Sequence, residues 1–165
     1  MQKISIYMSI LILFSCGSNN SSEEKTDINQ SKIENIKTEQ KIEEVTIRAL
    51  GNTMAEMKYD LPNITVSEGS KVKVTLVNES QDAAMIHNIV FIKYGSRKEV
   101  AAEAIKAGEA NKFIPNNTNV IAGSDLANPM ETIVFEFNAP NKGNYEFLCT
   151  YPGHSEMMRG YFFVK

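Results

Sequence analysis

The chain holds two histidines, His87 and His154, and two cysteines, Cys16 and Cys149. Cys149 and His154 share one string, Cys149-Thr150-Tyr151-Pro152-Gly153-His154-Ser155-Glu156-Met157-Met158. It offers a thiolate, an imidazole five residues on and a thioether four beyond that, with a Pro-Gly bend between the first two. His87 lies about sixty residues upstream, beside an apolar run. Two imidazoles, one thiolate and a weak, long axial thioether make the ligand set of a blue-copper electron-transfer site.

Each residue has a plainer reading when taken alone. A buried Cys acts as a small hydrophobe, a Met pair fills core gaps, and a single His is more often a surface or hydrogen-bonded residue than a ligand. The joint spacing is what discriminates, because one bend lets His154 and Met158 converge on the Cys149 sulfur. Structural zinc favours four Cys or His ligands, and here there are three plus a thioether. A catalytic metal needs an open position and usually a neighbouring acid or base, and the loop supplies only Glu156. A binuclear copper centre would need a second bridging cysteine between Thr150 and Gly153, where there is none.

The elements that must hold these residues alternate with period two. Val45, Ile47 and Ala49 form one such run, Val72, Val74 and Leu76 a second, Ile133, Phe135 and Phe137 a third, and Tyr145, Phe147 and Cys149 a fourth. Residues 88–93 and 161–164 add two more. Gly51-Asn52, Glu68-Gly69, Asn138-Ala139-Pro140 and Lys142-Gly143-Asn144 punctuate them. Short half-buried strands at this spacing predict an antiparallel sandwich or barrel. Residues 97–106 break the pattern, placing Val100, Ala104 and Ile105 on one side and meeting Gly108 where a C-terminal cap belongs. They read as a short helix inserted into a long crossover between the two sheets.

Residues 1–15 read as a lipoprotein signal peptide, with an eleven-residue apolar stretch too short to span a bilayer. Leu13-Phe14-Ser15-Cys16 resembles a bacterial lipobox, which makes Cys16 the acylated first residue of the mature chain. Residues 16–44 are then a lipidated Cys and a polar tether. From 17 to 44 there is no aromatic residue, and seven acids face four lysines. Such a composition cannot bury enough apolar surface to offset its ordering entropy. Residues 45–165 have the size of one domain. Their thirteen acids and twelve bases nearly cancel, leaving neither a nucleic-acid footprint nor a basic membrane patch.

On these motifs residues 45–165 resemble the azurins, within the cupredoxin family. The ligand loop matches in type and spacing, Met85-Ile86-His87-Asn88 is similar to the segment carrying the first histidine, and Gly51-Asn52, Ile64-Thr65-Val66 and Val120-Ile121-Ala122 follow the same order. The resemblance implies an all-β Greek-key sandwich or barrel with one inserted helix. It implies one copper ion, with His87, Cys149 and His154 in a plane and Met158 as the axial ligand. Asn88 and the Tyr151 amide would hydrogen-bond the Cys149 sulfur, while Pro152 has no N–H to add. Met57, Met85, Tyr151 and Pro152 would form an apolar docking patch around an exposed edge of His154. Ile86 stands where azurins have Gly; a carbonyl survives there, beside an added β-branched side chain. The family disulfide has no counterpart.

The expected protein is thus a carrier rather than an enzyme. It passes single electrons between redox proteins such as c-type cytochromes or membrane oxidoreductases, with no small-molecule substrate. It is exported and lipid-anchored, on the periplasmic side of a membrane or at the outer cell surface. The rivals are a copper-delivery protein, which wants an exchangeable site, and a metal-free adhesion module on the same sandwich.

Overall fold

The computed structural model describes residues 40–165. The signal peptide, Cys16 and the tether as far as residue 39 lie outside the described residues. Two sheets face each other. One is ordered β2(Lys58–Tyr59)-β1(Ile42–Leu50)-β4(Lys71–Asn78)-β7(Thr132–Asn138), the other β3(Asn63–Val66)-β9(Arg159–Val164)-β8(Gly143–Leu148)-β5(Val90–Lys93)-β6(Val120–Gly123). The sheets form an open sandwich rather than a closed barrel.

Two adjustments to the sequence reading concern topology. β1 starts at Ile42, three residues before the expected domain boundary, because residues 42–44 pair with Lys71, Val72 and Lys73 of β4. The sheets are also not wholly antiparallel. β1 runs parallel to β4, and β3 runs parallel to β9. After the β1–β2 pair the chain crosses to the other sheet for β3 and returns as β4, which brings it back beside β1 in the same direction.

The alternation does what period two requires. In β4, Val72, Val74 and Leu76 are fully buried while their neighbours are half-buried. Phe91 lies at the centre of the core, its ring 4.8 to 6.3 Å from those of Phe135, Phe137, Phe147 and Phe162. Offset and edge contacts of this kind add to the area each ring buries.

The helix α1 spans Arg97–Ala107, and the Gly108 N–H bonds the Ala104 carbonyl at 3.1 Å with φ at 71°. It packs Val100 and Ala101 over Val90, Ile92 and Leu148, on the outer face of the five-stranded sheet. This is why β5 is buried on both faces. The helix does not bridge the sheets as expected: it joins β5 to β6, neighbours in one sheet. Ile105 is exposed, because only the Val100–Ala104 line faces the sheet.

Gly160 in β9 marks a tight approach. A Cβ there would sit 2.3 Å from Phe147 Cζ and 2.5 Å from the Pro62 carbonyl oxygen. Gly160→Ala is therefore expected to destabilise the domain by about 1–3 kcal/mol, the usual range for overpacking. Urea denaturation measures it, and an unchanged midpoint would mean that the ring moves freely.

Candidate metal centre

β8 ends at Leu148 and delivers Cys149 to the end of the sandwich, where its amide bonds the Met158 carbonyl at 2.9 Å. Between them the chain turns tightly. Pro152 and Gly153 occupy the middle of a turn closed by the His154 N–H on the Tyr151 carbonyl at 3.0 Å, with Gly153 at φ 85°. A positive φ at the third turn position suits Gly, and Pro suits the second. Met158 N–H then bonds the His154 carbonyl at 2.9 Å.

The first histidine arrives from the segment before β5. His87 is bridged to Ala127, N–H to carbonyl at 3.1 Å and the reverse at 2.7 Å. Asn78, at the end of β4, holds the Met85 carbonyl at 2.7 Å and the Ala127 carbonyl at 3.0 Å.

These elements bring three ligand atoms together. The Nδ1 atoms of His87 and His154 lie 3.1 Å apart, and the Cys149 Sγ lies 3.9 and 3.7 Å from them. All three residues are buried: His87 and Cys149 are at 0% exposure and His154 at 2%. A cation bound at about 2.0 Å to nitrogen and 2.3 Å to sulfur, in a trigonal plane, sets N and S about 3.7 Å apart. The spacing fits one ion held by these three atoms, and the soft sulfur beside two imidazoles fits copper. Met158 is fully buried in the same core cluster as Cys149, whereas Met157 is half-exposed.

The surroundings tune the sulfur. Burial pushes the Cys149 thiol up to about 11, against the opposing pull of the nearby Asn88 and Tyr151 backbone and, more weakly, the Tyr59 hydroxyl. The Asn88 contribution comes from its backbone. Its side chain instead locks the two ligand segments together: Oδ1 accepts the Thr150 N–H at 2.8 Å, and Nδ2 donates to Thr150 Oγ1 and to the Lys112 carbonyl, each at 2.8 Å. Burial and the neighbouring His154 ring hold His87 down to about 4, and burial lowers His154.

The apolar patch differs from expectation. Met57 and Met85 are 1% and 4% exposed, since both belong to the core cluster. The exposed apolar groups nearby are Met54, whose Cε lies 3.2 Å from where a Cβ of Gly153 would stand, and Pro152. Tyr151 is half-buried, packed on the rings of His154 at 4.9 Å and Phe113 at 5.2 Å.

Three residues of this environment escaped sequence reading: Tyr59, Thr150 and Phe113. Tyr59 had a signal in its register with Met57, two residues away on one face, since a core-facing phenol needs a partner. Thr150 and Phe113 had none, because their contacts come from distant segments.

The ionisation pattern sets a pH profile for the metal-free protein. The histidines protonate more readily in the unfolded chain, near 6.5, so stability falls as pH drops from there toward 4. The thiol ionises more readily when unfolded, near 9, so stability falls as pH rises from there toward 11. Thermal unfolding of the metal-free form should peak between these limits. At pH 7 both imidazoles are already neutral, so loading of one divalent copper ion should release one proton, from Cys149. Calorimetry in buffers of different ionisation enthalpy counts it; release of two or three protons would contradict the buried-neutral histidines.

A β-sandwich that closes over a buried His-Cys-His cluster, with a methionine packed beside it, defines a small soft-metal protein of the blue-copper class. Residues 43–165 match the model of copper binding proteins of the plastocyanin/azurin family, and the chain belongs to that family. It is 37% identical over 119 residues to auracyanin A of Chloroflexus aurantiacus, covering 70% of this chain and 72% of that one. The solved structure of that "blue" copper protein superposes with a TM-score of 0.68, at 33% identity, over 75% of this chain and 99% of the other. Dithionite-reduced auracyanin from Roseiflexus castenholzii gives 0.65 at 36% identity, over 74% and 96%. Outer membrane protein H.8 of Neisseria gonorrhoeae is 29% identical over 110 residues, 63% of this chain and 60% of that protein. The cofactor is copper.

Proposed function

We propose that the chain is a lipid-anchored one-electron carrier in which His87, Cys149, His154 and Met158 hold a mononuclear type 1 copper ion. Its redox partners are larger proteins, c-type cytochromes or membrane oxidoreductases. The observation that carries this reading is burial: all four side chains are at 2% exposure or less. An electron can cross a layer of protein that a substrate cannot. Copper supplies the redox couple when bound, and this chain's part is to hold three donors at fixed spacing and keep water out. The same burial argues against delivery, which needs exchangeable ligands.

Partners would dock over the ligand loop, on Pro152, Tyr151 and Met54. A small apolar contact suits weak redox encounters. Acylation at Cys16 would place the domain outside the cell membrane, and the name of the Neisseria relative agrees with an exported, membrane-associated protein.

The test uses the full chain purified from membranes. One copper per chain, an intense visible band, and bleaching and recovery with one electron per copper are expected, along with a Cys16→Ala form that leaves the membrane fraction. Colourless copper that mild chelators strip would favour delivery, and a wild-type protein lacking acyl groups would remove the anchor.

A further inference from the structure

After α1 a single helical turn, Glu109–Asn111, leads into two consecutive residues with left-handed backbone, Lys112 at φ 57° and Phe113 at φ 54°. Glycine and asparagine take such backbone readily, but for a bulky side chain it is an outlier. Strain of this kind persists where the surroundings hold it. Here the Lys112 N–H donates to the Glu109 carbonyl at 2.7 Å, and the Phe113 N–H to the Gly108 carbonyl at 3.0 Å. The Lys112 carbonyl accepts the Asn88 amide at 2.8 Å. All three bonds use backbone that glycine would supply without strain, so they do not account for a phenyl ring at 113.

The contacts of the ring do. Phe113 meets Tyr151 edge-on, with centroids 5.2 Å apart and planes at 72°, and the Tyr151 ring lies 4.9 Å from the imidazole of His154. Phe113 and Tyr151 are both half-buried, while His154 is at 2% exposure. Tyr151 also lines an open cavity of about 250 Å³, together with Ala101, Ala102 and Ile105 of α1. Its ring therefore has room to swing off the imidazole.

We infer that Phe113 is a positioning residue of the copper centre, its ring bracing Tyr151 against His154 and the left-handed turn at residues 112–113 presenting it. This rests on the copper reading above. A Tyr151 ring held in place fixes the orientation of the His154 imidazole and keeps water and chelators from that side of the metal. The brace comes from a segment that contributes no ligand.

The experiment compares the copper-loaded full chain with Phe113→Asn, because asparagine accepts a positive φ and brings no ring. Copper loss to excess chelator should quicken by about three- to tenfold, the scale of one edge-to-face ring contact. In pulsed electron paramagnetic resonance of the oxidised form, the nitrogen coupling of one imidazole should shift while that of the other stays. Phe113→Tyr keeps the ring and should match wild type in both readouts. A double-mutant cycle checks the route: in a Tyr151→Ala background, Phe113→Asn should have no further effect. Copper loss within about twofold of wild type, or independent effects of the two substitutions, overturns the inference. Should Phe113→Asn fail to fold, Phe113→Gly is measured in its place against the same outcomes. The brace is also read without metal. Nuclear magnetic resonance contacts between the Tyr151 and His154 rings of the metal-free protein should weaken in Phe113→Asn, and contacts of unchanged strength overturn the inference. A wild-type protein that binds copper without a blue band overturns the copper reading, and the metal-free contacts then decide the brace by themselves.

Discussion

Cys149→Ser should give a folded protein with no intense visible band at any copper loading. The side chain is fully buried at the end of β8, and Ser is smaller, so the fold should lose only about 1–2 kcal/mol for a buried hydroxyl with neighbours to bond. The site loses far more. An alcohol cannot replace a soft thiolate, and the two Nδ1 atoms 3.1 Å apart are left as a pair of imidazoles. The visible spectrum of the copper-titrated variant decides the matter. Survival of a strong band would mean that the colour arises elsewhere and that the Cys149 assignment is wrong.

Asn88→Ala should cause the largest loss of stability among substitutions that leave the ligands intact. The buried amide makes three bonds at 2.8 Å, two to Thr150 and one to the Lys112 carbonyl. Removing it strands the Thr150 N–H and frees the Lys112 carbonyl. At about 1–3 kcal/mol for the buried Thr150 N–H left unpaired, with Lys112 exposed and its carbonyl open to water, a loss of roughly 2–3 kcal/mol is expected. It should appear in urea denaturation of the metal-free protein and as faster copper loss to a chelator. The two readouts belong together, because Asn88 fastens the His87 segment to the Cys149 segment. A cost below about 1 kcal/mol would show that Thr150 finds another partner.

The ligand set was legible because its residue types are rare and three of its members lie on one loop. The Pro152–Gly153 bend announces the turn, and burial of Met158 against exposure of Met157 agrees with the thioether chosen by spacing. The helix was legible to within one residue from composition and Gly108. The parallel pairs were not. β1 with β4 and β3 with β9 depend on where the chain crosses between sheets, and alternation within a strand carries no record of its neighbours. The same limit explains Met57 and Met85. Both resemble patch residues in sequence, yet the sandwich closes over them, and Met54 takes the exposed position. Tyr59 was missed because its strand is only two residues long, so that its alternation with Met57 was the one mark of a core-facing position.

The pairing of β1 with β4 also gives the domain a front and a back. The chain enters at Ile42 beside Lys71, where the Gln40 side chain donates to the Gly69 carbonyl and the Glu68 N–H donates to the Lys165 carbonyl. It reaches Leu50 only at the other end, where Asn78 braces the segment leading to His87. Nine residues at strand rise make that path roughly 30 Å. A hold on the N-terminal side therefore grips the back of the domain. On the proposed Cys16 anchor, the His154 end would be the one farthest from the point of attachment, and so the end left free to meet a partner.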